Sequence, residues 1–241
     1  MATKSLYACG VWRSGSTFVY NVLNRIKLHY NAGFYNIGIK THTDWHTYVK
    51  NNDISFFTYR DPRNVCASWV RFNIINRVFT EKDTGIYKVN VKNAGPANTT
   101  TYVFKDVTID EIMNDIIWMH EKVNEKINQD YRVLVMRYED EIFKDNKIAI
   151  RNILEFLKSR KITIDESFIE QTSRDLNIEK VKNDVMKLHA FRRDPRTEFW
   201  YNHINDGISD HKTYFKNNEL DLIKDTTKFK LEEYCKTYGY E

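Results

Sequence analysis

Cysteine, proline and glycine are all scarce in this chain: 3, 3 and 8 among 241 residues. Cys9, Cys66 and Cys235 are odd in number and widely spaced, which excludes a disulfide framework and the usual zinc patterns, so a reducing, cytoplasmic setting is expected. No apolar run approaches the roughly 20 residues of a membrane-spanning helix. The first strand candidate begins near Leu6, so neither a secretory signal nor a membrane span is expected. A large excess of one charge is also lacking, since 37 Lys and Arg against 33 Asp and Glu give a net +4. That balance permits an anionic ligand but not the dense basic stripe of a nucleic-acid surface, so no nucleic acid is expected as partner. Internal repeats and low-complexity linkers are missing too.

What is present suits an ordered globular chain. A hydrophobic fraction of 41% supplies a sizeable core. Leu6 to Val11 is a continuous apolar run and reads as a buried strand; from Ser16 onward Phe18, Val19, Val22, Leu23 and Ile26 repeat with helical period. Residues 35–40 form a second strand candidate and Ile54 to Tyr59 a third. The third ends at Arg60-Asp61-Pro62, where Asp61 suits a helix cap and Pro62 the first helical position. Residues 85–105 alternate around an Ala-Gly-Pro-Ala turn, the pattern of a β-hairpin inserted between helices. Residues 109–127 are helical, 132–137 a strand, and 147–158 a helix; the C-terminal third is mostly helical, broken by a loop at 190–212. Strands alternating with helices predict one α/β domain over 1–241, with a central parallel sheet flanked by helices. Ligands of such sheets bind at the carboxyl ends of the strands.

The first strand–helix junction, Gly10 to Thr17, has the frame G-x-x-x-x-G-x-[ST]. In such P-loop-like turns backbone N–H groups converge on a phosphate, a glycine allows close approach, and Ser16 and Thr17 add hydroxyls. The lysine that reaches the β- and γ-phosphates of a nucleoside triphosphate is replaced by Ser16, and Arg13 supplies a cation inside the loop. The frame alone is also compatible with a tight turn that holds nothing.

With "VWRSGSTF", "IKTHTD" and "YRDPRNVCAS" in order, the chain resembles the sulfotransferases that use 3′-phosphoadenosine 5′-phosphosulfate (PAPS) and release 3′-phosphoadenosine 5′-phosphate (PAP). The resemblance runs from about Leu6 to Phe215. It implies that Arg13, Ser14, Gly15, Ser16 and Thr17 hold the 5′-phosphosulfate end, and that Arg60 and Ser68, eight residues apart, hold the 3′-phosphate. Phe18 and Tyr138 would contact adenine, Tyr138 through the segment "RYEDEIF". "DGISDHKTYF" resembles the family's closing G-x-x-G-D-W-K-x-x-F loop and brings Lys212 to the nucleotide. Lys40-Thr41-His42 matches the K-T-H of cytosolic members, which makes His42 the general base, with Lys40 and Arg13 on the sulfuryl and bridging oxygens. The chain departs from the family in having Trp12 for the usual proline and Asn205-Asp206 for the Arg-Lys pair before Gly207. The 85–105 hairpin has no counterpart in the family pattern.

Sulfuryl transfer needs an in-line acceptor, a base for its proton and stabilisation of the leaving phosphate, and no metal. His42 and His46 stand four apart, but no third ligand accompanies them. The acceptor, whether small molecule, glycan or peptide side chain, is not written in these motifs, and neither is the oligomeric state. Two other functions fit the scaffold: a nucleotide or small-molecule kinase with a degenerate loop, and a non-catalytic nucleotide-binding module.

Overall fold

The apolar runs become strands of a parallel sheet. The structure, a computed structural model, describes residues 5–30, 37–41, 53–75, 77–94, 100–129, 132–158, 162–187, 194, 197, 199, 210–215 and 218–240. By internal packing the chain forms two compact units, Met1–Arg60 with Met119–Ile204, and Asp61–Trp118 with Asn205–Glu241.

In the first unit, β1 (Leu6–Gly10), β2 (Ile37–Thr41), β3 (Ile54–Tyr59) and β7 (Val133–Arg137) form a sheet in the order β2-β1-β3-β7, with every pairing parallel. The expected strands at 6–11, 35–40, 54–59 and 132–137 are therefore present within two residues at each end. Leu6 and Ala8, Ile54 and Phe56, and Met136 recur with period two and join one buried cluster. Its helical side comes from α1 (Ser16–Tyr30), α4 (Asn146–Leu157) and α5 (Glu166–Asp175). Phe18, Val19, Val22, Leu23 and Ile26 of α1 are all in it, as their spacing predicts. Tyr7, Cys9 and Phe57, the alternate residues, are buried as well, which is why these strands read as continuous apolar runs. Asp145 and Asp165 cap α4 and α5, accepting from Lys147 N–H and from Ser167 and Phe168 N–H. A short helix, α6 (Ile178–Met186), comes next, capped by Asn177.

The second unit carries the hairpin. β5 (Ile86–Ala94) pairs antiparallel with β6 (Thr100–Thr108), as the alternation at 85–105 predicts. A strand not expected from the sequence, β4 (Phe79–Asp83), pairs with β5 and completes an antiparallel sheet in the order β4-β5-β6. The helix α2 (Pro62–Ile75) begins where its cap predicts: Asp61 Oδ1 accepts the Arg63 N–H at 2.9 Å and Pro62 is the first helical residue. The long helix α3 (Ile109–Gln129) belongs to this unit through Trp118 and to the first unit from Met119. Near its start, Asp110 Oδ1 accepts from Lys224 N–H at 2.9 Å and from the Thr227 hydroxyl at 2.6 Å, fixing the start of α8 (Asp225–Tyr238). All three cysteines are free and buried. Burial pushes the Cys66 thiol up, and the Cys235 thiol up to about 11, which leaves both unreactive. Among the described residues, no helix is long and apolar enough to cross a membrane.

His120 on α3 makes folding sensitive to acid. It is 1% exposed, and burial pushes its imidazole down to about 3 from 6.5. Below the ordinary histidine pKa the unfolded chain takes up a proton that the folded chain refuses. Stability therefore falls as pH drops from 6.5 toward 3, by up to about 1.4 kcal/mol per pH unit. Thermal melts between about pH 7 and about pH 4.5 are expected to show a falling midpoint, with a shallower fall in a His120→Gln protein. Parallel curves for the two proteins would mean that His120 is not the source.

Candidate active site

Every strand of the parallel sheet ends in a segment that the sequence singled out. β1 leads into the 11–15 turn, β2 carries Lys40, β3 leads into Arg60, and β7 leads into Tyr138. The register matches Cys9 with Thr41, Gly10 with Thr58, and Tyr59 with Arg137, so these segments lie along one edge, the carboxyl edge.

The turn is tightly shaped. Arg13 has φ 61° and Gly15 φ 101°, both in the left-handed region, and successive N–H groups in such a turn form an anion-binding concavity. Ser14 N–H closes the turn on the Val11 carbonyl at 3.3 Å, and the Gly15 carbonyl accepts from Phe18 and Val19 at 2.9 and 3.2 Å. Ser16 and Thr17 open α1, where the first N–H groups have no intrahelical acceptor. No acidic residue occupies this first turn, so the positive end of the helix is left for an anion. Among the described residues, the hydroxyls of Ser16 and Thr17 make no hydrogen bond. Arg13 is half-buried, and so is Lys40.

Arg60 joins the turn to the segment after β7. It is 6% exposed; its Nη1 donates to the Arg13 carbonyl at 3.1 Å, and its Cζ lies 4.5 Å from the centre of the Tyr138 ring. Tyr138 opens a π-helical turn, Tyr138–Lys144, a local geometry that recurs at functional sites. Glu139 stands between two arginines, 4.0 Å from Arg60 Nε and 3.8 Å from Arg137 Nε, and Asp140 is 3.3 Å from Arg137 Nε. Glu141 anchors the turn by accepting from Arg137 N–H at 3.2 Å and from Asn152 Nδ2 at 3.1 Å. Glu139, Glu141 and Thr58 were not singled out from sequence. The acidic run after a strand was the available signal for the first two, and a threonine near the carboxyl end of a largely apolar strand for the third.

Gly15 is where these pieces meet. A Cβ there would come within 2.9 Å of both Tyr138 Cδ2 and Ile142 Cδ1 at a backbone angle unsuited to L-residues. Gly15→Ala is expected to lower stability by about 1–3 kcal/mol and to shift the Tyr138 ring, read by urea unfolding and tyrosine fluorescence. An unchanged midpoint would contradict this packing.

The remaining candidates are spread over both units. Phe18 is buried in the α1 cluster. Ser68 is buried on α2 in the second unit. Lys212 lies in that unit too, exposed on the short helix α7 (His211–Tyr214), which Asp210 caps by accepting the Lys212 N–H at 3.1 Å. Asn64 Oδ1 fastens this segment to the first turn of α2, accepting from His211 N–H and contacting Nδ1, each at 2.9 Å. Burial lowers the His211 pKa; Arg63 and Lys212 act in the same direction, and Asp61 and Asp210 oppose it. His42 and His46 lie outside the described residues, as do Asn205 to Gly207. Among the described residues, no group of three His, Cys, Asp or Glu could hold a metal ion.

A family model described as a sulfotransferase domain matches residues 37–234. The match includes Lys40, Arg60, Ser68, Tyr138 and Lys212 and begins after the 11–15 turn. No curated protein matches the chain in sequence. Among solved structures, retinol dehydratase in complex with androsterone and inactive cofactor PAP superposes with a TM-score of 0.59 at 14% identity, covering 97% of this chain and 80% of its own. Mouse sulfotransferase SULT7A1 complexed with PAP gives a TM-score of 0.56 at 16% identity, covering 98% of this chain and 89% of its own. At these identities the likeness is one of fold.

Proposed function

The chain belongs to the sulfotransferase domain family, and from that premise we propose that it moves a sulfuryl group from PAPS to the hydroxyl or amine of an acceptor. The observation that carries the reading is the meeting of Arg13, Gly15, Arg60 and Tyr138 at the carboxyl edge of a parallel sheet. Two solved proteins of the same fold were crystallised with PAP. The residues fit such a nucleotide: N–H donors at a helix start, a buried arginine, and an aromatic ring beside it. The family match over residues 37–234 includes parts of both units, which supports treating that span as one catalytic domain.

PAPS, when bound, supplies an activated sulfuryl group whose departure leaves a phosphate. The N–H groups of residues 15–17, with Arg13 and Lys40, take the charge that develops on that phosphate. Arg13 stays protonated, so it stabilises charge without giving up a proton. Arg60 holds the 3′-phosphate; Ser68 and Lys212 are assigned to the nucleotide by the family resemblance of their sequence segments alone. Tyr138 and Phe18 bear on the adenine. His42, two residues beyond Lys40, accepts the acceptor's proton as the new O–S or N–S bond forms. Retinol dehydratase was crystallised with androsterone and with retinol, which supports a small apolar alcohol as the first acceptor class to try, ahead of glycans and peptides. Three free, buried thiols fit a reducing, cytoplasmic setting.

The test is transfer of labelled sulfate from PAPS to pooled alcohols, phenols, amines and sugars. Label in at least one pool, together with PAP release, is the expected result. PAPS left intact with every pool, beside magnesium-dependent ATP turnover, would favour a kinase instead.

A further inference from the structure

An anion-binding turn offers its N–H groups to the ligand, and here three carbonyls in and just before the turn have identified donors within the protein. The Val11 carbonyl accepts from Ser14 N–H at 3.3 Å and from Ser14 Oγ at 2.6 Å. The Arg13 carbonyl accepts from Arg60 at 3.1 Å, and the Cys9 carbonyl from the Thr58 hydroxyl at 3.3 Å. Ser14 and Thr58 are both fully buried, with Ser14 Oγ 2.8 Å from Thr58 Oγ1 and 3.0 Å from the Thr58 carbonyl. Each hydroxyl has one proton. The shortest contact commits the Ser14 proton to Val11, and the Thr58 proton then lies between Ser14 Oγ and Cys9 O. No Ser14 proton remains for a ligand.

We propose that Thr58 is a positioning residue for nucleotide binding, acting through Ser14, and that Ser14 is the internal tie of the turn and not a phosphate ligand. The proposal rests on reading this turn as the site of the 5′-phosphosulfate. The strand register sets the arrangement, because Thr58 lies opposite Gly10. Gly10 is itself constrained by it: a Cβ there would collide with Thr58 Oγ1 and come within 2.8 Å of Ser14 Oγ. Losing the Thr58 hydroxyl frees Ser14 to rotate and leaves the Val11 carbonyl free to turn toward the anion. The effect should therefore fall on the 5′ end of the nucleotide alone.

The experiment compares Thr58→Val, Thr58→Ser and Ser14→Ala with the unaltered protein, by calorimetric titration with PAP and with adenosine 3′-monophosphate, which lacks the 5′-phosphate. Thr58→Val and Ser14→Ala are expected to bind PAP about tenfold more weakly or worse and adenosine 3′-monophosphate unchanged, with Thr58→Ser within about threefold of the unaltered protein on both. Equal losses on both ligands, or no loss on PAP, would overturn the proposal. Hydrogen exchange of the ligand-free protein is the second measurement: amides of residues 11–17 should exchange faster in Thr58→Val and not in Thr58→Ser. If the unaltered protein bound no PAP while that exchange difference held, the nucleotide reading would fall and the tie would stand. If exchange were the same in all proteins, the tie itself would fall. Ser14→Ala, the smaller change, keeps the comparison open if Thr58→Val does not fold.

Discussion

Replacing Arg60 by alanine is expected to weaken PAP binding by about a hundredfold or more, because truncating one partner of a buried charged pair costs about 2–5 kcal/mol. Three contacts depend on this side chain. Its Nη1 holds the Arg13 carbonyl, its Cζ lies over the Tyr138 ring, and Glu139 stands 4.0 Å from its Nε. Arg60→Lys keeps the charge but loses the planar fork and the stacking face, and should recover only a small part of the affinity. The comparison that isolates the phosphate uses adenosine 5′-monophosphate, which lacks the 3′-phosphate. The unaltered protein is expected to prefer PAP strongly, and Arg60→Ala to bind the two nearly alike. A variant that keeps the full preference for PAP would remove Arg60 from the 3′-phosphate site.

The second large effect is expected at His42. His42→Ala should lose about a hundredfold or more in kcat, the usual contribution of a positioned general base. PAP affinity should stay within about threefold, because the base meets the acceptor and not the nucleotide. The rate of the unaltered enzyme should rise with pH as the imidazole loses its proton, since only the neutral ring accepts one. In His42→Ala that limb of the profile should disappear. Unchanged turnover in this variant would transfer the role of base to another group. Lys40, on β2 two residues earlier, is the next to test, by Lys40→Met.

The parallel sheet was legible because its strands are buried on both faces and so appear as largely apolar runs, as in Leu6 to Gly10 and, with Ser55 and Thr58 in it, Ile54 to Tyr59. The start of α2 was legible because Asp61 and Pro62 act locally. β4 was not, for the opposite reason: in Phe79–Asp83 only Phe79 is buried and the other four residues are exposed, so no alternation survives. The turn at Thr84-Gly85, with Gly85 at φ 68°, was the one cue to it. The π-helical geometry of Tyr138–Lys144 has no local signature that separates it from an ordinary helical turn. The first loop was legible as a frame, but the role of Ser14 was not. Its partner Thr58 is 44 residues away and reaches it only through the β1–β3 register. Likewise the contact of Arg60 with the Arg13 carbonyl joins residues 47 apart. A motif states which residue types are present; strand pairing decides which of them touch the ligand and which hold the others in place.

The most direct measurement is calorimetric titration of the unaltered protein with PAP in the absence of magnesium. Saturable binding of one PAP per chain is expected, weakened many-fold when either phosphate is removed from the ligand. No binding as PAP approaches millimolar concentration, or equal affinity for PAP and plain adenosine, would contradict a bisphosphate site at the carboxyl edge of the sheet.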